Sequence, residues 1–435
     1  MADAGIERAN LRRVVVSSLL GATIEWYDFF LYGVVAGIVF NKLYFPASDP
    51  VVATLLAYAT FAVGFVTRPL GGVIFGHFGD RIGRKSVLVA TLMIMGVATF
   101  MIGLIPTYQQ IGIWAPILLL LMRILQGIGL GGEWGGAVLM TFEYAPPERR
   151  GFYASIPQIG LAIGLCLSSG FVALLSLLPE DQFLGWGWRV AFLVSVLLVA
   201  VGLYIRLRIF ETPEFERLRE RNAQAKLPFA DMIRQYPRNV IFGMGARYID
   251  GVFFNILGVF SIGYLANTLK IPRTTALLGV SLAALVMIAT IPYFGALSDR
   301  IGRRKTYAIG SIVTAVSAFG AFYLMTPTAD KVTLWLALVI PFGIFYASVY
   351  GPEAALFCEL FDARVRYTGI SFVYQFSGIF ASGITPLIAT ALLAQGGGTP
   401  WLICWYVIFA GVISAISAML MRPAVPPPAE PLVAS

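Results

Sequence analysis

The chain has 435 residues, 58% of them hydrophobic and only 12% charged, whereas ordinary soluble domains run near roughly 45–50% and about 25%. That balance excludes a soluble globular enzyme and points to a protein that crosses a membrane many times. The formal net charge of +8 is dispersed over short connecting segments, so it reports orientation in a bilayer and excludes nucleic acid as a partner.

Met1–Asn10 is polar, and the apolar run behind it is too long for the core of a cleavable signal, so it reads as the first span. Runs of about 20 apolar residues, the length that crosses the hydrocarbon core, fall at 14–40, 51–77, 86–105, 113–141, 152–178 and 187–209. A polar, charge-alternating stretch follows at 210–238, expected to be partly helical and to lie on the inner surface. Six more runs fall at 239–267, 274–297, 305–326, 332–359, 367–394 and 400–421. The division is therefore an N-terminal six-helix bundle at 1–209, a linker at 210–238, a C-terminal six-helix bundle at 239–422 and a proline-rich tail at 423–435, expected to be disordered.

Twenty-three Lys and Arg, from Arg8 to Arg422, fall on one set of loops and termini, against five (Lys42, Arg189, Lys270, Arg273 and Lys331) on the other. Cytoplasmic loops carry the excess of bases, so both termini and the linker are placed in the cytoplasm. Cys166, Cys358 and Cys404 lie in apolar runs without paired spacing and read as buried thiols. With His77 as the lone histidine, no metal site and no cofactor are expected.

A short stretch between the second and third spans, Gly76-His77-Phe78-Gly79-Asp80-Arg81-Ile82-Gly83-Arg84-Lys85, returns as Gly295-Ala296-Leu297-Ser298-Asp299-Arg300-Ile301-Gly302-Arg303-Arg304. An offset of 219 residues is too long for a solenoid unit and makes each half a copy of the other. A second set agrees. Glu143, Arg149, Arg150, Gly151, Ser155 and Gln158 recur as Glu359, Arg364, Arg366, Gly369, Ser371 and Gln375, each time between the fourth and fifth spans of a half.

Twelve spans, a central linker and a twice-used G-x-x-x-D-R-x-G-R-[KR] segment resemble the major facilitator superfamily. Glu25-Trp-Tyr-Asp28, Arg68-Pro-Leu-Gly-Gly72, Arg123-Ile-Leu-Gln-Gly127, Gly131-Gly-Glu-Trp-Gly-Gly136 and Gly185-Trp-Gly-Trp-Arg189 are similar to the metabolite:proton symporter family within it, nearest its shikimate-transporter-like branch. The resemblance implies an all-α fold of two six-helix bundles in the bacterial inner membrane. It implies proton-coupled uptake of a small organic acid by alternating access, the acid being shikimate-like, aromatic, or a di- or tricarboxylate. A zwitterion such as proline or betaine is the alternative substrate, although the long C-terminal coiled coil of the osmosensing members has no counterpart here. A non-transporting membrane sensor is a further alternative. A monomer is expected, with the substrate, protons and lipid as its partners.

Ionisable groups inside spans are costly and mark function. Here they are Glu25, Asp28, Arg68, Arg123, Glu133, Arg247, Asp250 and Glu353. Five acids face three bases, so complete pairing leaves two acids over, and an unpaired buried carboxylate takes up a proton instead of staying charged. Depth in the spans suggests the pairs Asp28–Arg123 and Arg68–Glu133. Asp28 is the expected proton carrier with Arg123 tuning it, Glu25 and Glu133 are the alternative carriers, and Glu353 is the acid expected nearest to solvent. Substrate is expected near the midplane, where Arg123 and Arg247 can fork onto a carboxylate among Trp26, Tyr27, Trp134, Gln158, Tyr248, Asp250, Asn255, Tyr346, Tyr374 and Gln375. A local ion pair is the plainer reading of Arg247 and Asp250.

Gly76, Asp80, Arg81, Gly83 and Arg84, with Asp299, Arg300 and Arg303, are expected to gate. The aspartates would cap neighbouring helices or pair with arginine, and Gly76 and Gly295 would allow close approach. Gly127-x-Gly129-x-x-Gly132 matches a dinucleotide fingerprint but lies inside an apolar run with no strand before it. Gly127, Gly131 and Gly135 instead make a small-residue stripe for helix packing.

Overall fold

The computed structural model describes residues 2–46, 50–175, 177–207, 216, 220 and 228–424. Among them twelve helices are long and apolar enough to span a bilayer: α1 (Asn10–Val35), α2 (Ala59–Ile82), α3 (Arg84–Leu104), α4 (Trp114–Tyr144), α5 (Pro147–Val172), α6 (Glu180–Tyr204), α7 (Pro237–Ala266), α8 (Thr274–Ile301), α9 (Arg303–Leu324), α10 (Lys331–Cys358), α11 (Arg366–Gln395) and α12 (Trp401–Leu420). Helices satisfy every backbone group internally, which lipid demands. Prolines are accommodated inside α2 (Pro69), α8 (Pro292) and α10 (Pro352). Wider π-helical turns interrupt α7 at Ile256–Phe260 and α10 at Val339–Phe345.

Within the first six helices, α2 packs along α4, α1 along α5 and α3 along α4; within the last six, α9 packs on α12 and α8 on α10. The glycine stripe does what its spacing predicts. A Cβ on Gly127 would meet Thr67 and Gly64, and one on Gly131 would meet the Arg68 carbonyl and Gly72. The two sets of six meet mainly through α2 on α11 and α5 on α8, with α4 and α10 contributing.

The repeated segment is not a loop. Gly76–Ile82 forms the last turns of α2, and α3 starts at Arg84 with only Gly83 between them. Gly83 (φ 115°) and Gly302 (φ 97°) sit in the left-handed region that lets the chain reverse in one residue. Of the linker, Pro228–Gln235 forms a short helix. Its Met232 is fully buried and Phe229 meets the ring of Phe372 at 5.3 Å. Residues 210–215, 217–219 and 221–227 lie outside the described residues, as do 425–435, so the expected disorder of the tail is not addressed there. Ala424 is tied by its N–H to the Glu359 carbonyl at 2.9 Å.

Candidate functional site

At the centre, between the two sets of helices, a narrow cavity is lined by Glu25 and Trp26 of α1, Arg68 of α2, Leu130 and Trp134 of α4, and Tyr374 and Gln375 of α11, among others. Trp134 and Tyr374 stack face to face across it at 3.6 Å. Two amides bond across the seam between the two sets of helices. Gln158 of α5 donates to the Tyr350 carbonyl of α10, and Gln375 of α11 donates to the Leu130 carbonyl of α4 at 3.3 Å. These glutamines are the two copies in the sequence repeat.

All eight intramembrane ionisable residues are buried, but they do not pair as their depths suggest. Arg123 is enclosed by the rings of Phe29, Tyr32 and Phe61 at 4.4–4.9 Å and donates to Gln126 at 3.0 Å. Arg68 lies between Phe29 and Phe65, 4.2 Å from each centroid, and its Nε and Nη2 lack hydrogen-bond partners. Glu133 accepts from the Thr91 hydroxyl at 2.7 Å, on the side of α4 facing α3. The pairs Asp28–Arg123 and Arg68–Glu133 are therefore not formed. Depth is a coordinate along the helix, whereas pairing also needs the two side chains to share a direction around it.

Asp28 remains without a hydrogen-bond partner on either oxygen, at 1% exposure. Its polar neighbour is Thr99, whose hydroxyl also stands 2.9 Å from the Met95 carbonyl and accepts from Gln126 at 2.8 Å. Arg123, Gln126 and Thr99 form a chain of hydrogen bonds leading towards Asp28. A neutral carboxyl suits that place, since it donates instead of only accepting.

In the second set of helices, Arg247 and Asp250 make the local ion pair at 3.2 Å. Asp250 also accepts from the Tyr346 hydroxyl, and the Arg247 guanidinium lies 3.9 Å over the Tyr374 ring. Glu353 is a correction: it is 0% exposed, not near solvent, and lies within electrostatic reach of Asp250 and Arg247. Three predicted substrate residues point elsewhere. Tyr27 donates to the Ala191 carbonyl at 3.0 Å, Tyr248 meets the Tyr406 hydroxyl at 3.1 Å, and Asn255 bonds back to the Gly251 carbonyl at 2.8 Å.

On the face that carries the excess of bases, the repeated aspartates do cap. Asp80 accepts from the Thr368 N–H and hydroxyl, both at 2.9 Å, and from the Tyr367 N–H at 3.4 Å, at the start of α11. Asp299 accepts from the N–H groups of Gly151 and Phe152 at 2.8 and 2.9 Å, at the start of the helix Arg150–Ser155 in α5. Each aspartate thus sits in one half and caps a helix of the other, where the free N–H groups and the helix dipole favour negative charge. Arg84 joins Asp80 and Glu143 at 3.8 and 3.5 Å, and Arg366 joins Glu143 at 3.2 Å. Arg303 joins Asp299 and Glu359 at 3.1 and 3.2 Å. Gly76 and Gly295 give the close approach expected, facing the Thr368 Cα and the Gly151 carbonyl, each 2.7 Å from where a Cβ would stand. Arg81 and Arg300 are exposed, and Arg81 meets only His77, at 3.3 Å, among the contacts seen. Neither belongs to the clasp. The residues the sequence missed here, Phe152, Tyr367 and Thr368, donate chiefly through backbone N–H groups, which carry no side-chain signal.

The model for the sugar (and other) transporter family matches residues 14–239, and the model for the major facilitator superfamily matches 240–435. The shikimate transporter of Escherichia coli (strain K12) is 40% identical over 418 residues, 95% of either chain. The chain belongs to the major facilitator superfamily. It is a transporter of that superfamily, with twelve transmembrane helices, and not an enzyme. The proline/betaine transporter of the same organism is 34% identical over 427 residues, 96% of this chain and 84% of that one. Among solved structures, the proton:xylose symporter XylE bound to 6-bromo-6-deoxy-D-glucose superposes with a TM-score of 0.76 over 95% of both chains at 15% identity, a likeness of fold. The cavity and clasp of this transporter lie on the seam between its two sets of six helices.

Proposed function

We propose that this transporter takes up a small organic acid (shikimate-like, aromatic, or a di- or tricarboxylate) together with protons, as a monomer in a bacterial inner membrane with its basic face in the cytoplasm. The observation that carries the reading is Asp28, a buried carboxylate with no hydrogen-bond partner, one helical turn from Glu25, which lines the central cavity. Such a group is stable when it holds a proton and costly when it does not. Arg68, with two unpartnered guanidinium nitrogens, supplies a fork for a carboxylate, and Trp26, Trp134 and Tyr374 supply flat faces for a ring. The clasp of Asp80 and Asp299 holds the basic face shut while the site loads from the other side. Substrate and proton together favour breaking it, and loss of the proton from Asp28 on the cytoplasmic side returns the empty transporter.

The 34% identity to a proline/betaine transporter keeps a zwitterion as the second reading. Purified protein in liposomes loaded with a pH dye separates the cases, with shikimate, protocatechuate, 2-oxoglutarate, citrate and betaine offered in turn. Substrate-dependent internal acidification is expected with an organic acid and is expected to fall, per substrate taken up, in Asp28→Asn. Uptake without acidification would overturn symport, acidification by betaine alone would establish the second reading, and no uptake of any compound would favour a sensor.

A further inference from the structure

Five intramembrane acids and three bases divide unevenly between the halves. The first half holds Glu25, Asp28 and Glu133 with Arg68 and Arg123, and the second holds Asp250 and Glu353 with Arg247 alone. In the second half the balance is closed by burial. Glu353 is 0% exposed, Asp250 2% and Arg247 4%, so no bulk water offsets a surplus charge. Both oxygens of Glu353 lack a hydrogen-bond partner, and Arg247 is committed to Asp250 at 3.2 Å. The titratable groups facing Glu353 are Arg247 and Asp250 from α7, Tyr307 from α9, Tyr350 from its own helix and Tyr374 from α11. Tyr346 faces Asp250 and donates to it. Arg247 is the one cation among them, and Arg68 of α2 reaches Arg247, Tyr350 and Tyr374 from across the seam without reaching Glu353. Two ionised carboxylates beside one guanidinium, shielded from bulk solvent, would leave one carboxylate without a cation of its own.

We propose that Asp250 and Glu353 form a second proton-carrying site, resident in the C-terminal half and separate from Asp28. The proton is held as an O–H bond on Glu353, while Asp250 stays ionised against Arg247. The inference rests on the reading of this protein as a proton symporter of an anionic substrate.

The site also communicates with the substrate cavity. Arg247 lies 3.9 Å over the ring of Tyr374, whose other partner is Trp134 of the cavity wall. Its Nε and Nη1 are buried without hydrogen-bond partners. An anion arriving beside Tyr374 competes with the two carboxylates for the one guanidinium, so anion binding and protonation of Glu353 favour each other, and by linkage each strengthens the other. When the anion leaves and Arg247 swings back between both acids, the Glu353 O–H bond breaks and the proton passes to water entering from the open side. With one proton on Asp28 and one here, two protons accompany each substrate.

The test is the proton-to-substrate ratio, obtained in liposomes from the reversal of flux against imposed pH and voltage gradients, for wild type, Glu353→Gln and Asp28→Asn. A ratio of two in wild type, falling to one in Glu353→Gln, is expected. A wild-type ratio of one, or an unchanged ratio in Glu353→Gln, would overturn the second site while leaving symport intact. A wild-type ratio of zero would instead remove the symport reading on which it depends. An infrared measurement covers a variant that fails to transport. The C=O stretch of a protonated carboxyl at neutral pH is expected in the wild type and is expected to weaken in both Glu353→Gln and Asp28→Asn. Persistence of the full band in Glu353→Gln would overturn the assignment.

Discussion

Arg68 and Arg123 are buried cations held chiefly by aromatic faces. Arg68 lies 4.2 Å from the centroids of Phe29 and Phe65. Each such contact contributes about 0.5–2 kcal/mol once desolvated, which keeps the charge inside without binding it to a carboxylate. That leaves the Arg68 fork free for a substrate. Arg68→Lys keeps the charge and loses both the planar stacking and the fork. Its KM for the acid is expected to rise at least tenfold with kcat less affected, read from initial uptake rates, and an unchanged KM would remove Arg68 from the substrate site. The depth of these residues was legible because hydropathy runs along the chain. Their partners were not. Arg123 reaches Phe29, Tyr32 and Phe61 because Gly64 on α2 leaves space beside its Nε, and no pattern in the order of residues announces an aromatic cage built from two helices.

At the scale of the element, the repeated segment works as helix, single glycine, helix. Gly83 at φ 115° and Gly302 at φ 97° have no helical alternative for turning α2 into α3 and α8 into α9 in one residue. A Cβ in this region costs about 1–2 kcal/mol, so Gly83→Ala is expected to lower the melting temperature of the detergent-solubilised protein by several degrees. Gly170→Ala, in the helical part of α5 where a Cβ meets nothing within 4 Å, is expected to leave it unchanged or slightly raised. Equal shifts would show that the turn is not strained by a side chain. The motif's glycines, aspartates and Arg84 and Arg303 were legible from their recurrence. Its Arg81 and Arg300 were not separable from them in sequence, since a base that anchors orientation and one that closes a gate look alike until their direction is known.

At the scale of the whole molecule, two carboxylates close the seam in pseudo-symmetric fashion, Asp80 on α11 and Asp299 on α5. Replacing a capping carboxylate costs about 0.5–2 kcal/mol, and both caps oppose the same opening. Asp80→Ala and Asp299→Ala are therefore each expected to raise the population open on the basic face about fivefold, and together by roughly the product. Ser371→Cys reports it, in a background lacking Cys166, Cys358 and Cys404. Ser371 is fully buried where α11 meets Gly72 and Gly135, so its alkylation rate follows opening. No gain in rate in the double variant would mean that the caps are structural and do not gate.

Length and hydropathy were enough for the twelve helices and their grouping by repeat, because lipid forces each apolar run of about 20 residues into a helix whatever its neighbours do. The excess of bases on one set of loops sufficed likewise for an expected orientation. Which side chains meet was settled by packing. Rotation of each helix turned Glu133 to Thr91 and away from Arg68, placed Glu353 within electrostatic reach of Asp250, and aimed Asp80 at the first N–H groups of a helix 287 residues away. Rotation is fixed by contacts between segments distant in the chain, a quantity that a one-dimensional pattern does not contain.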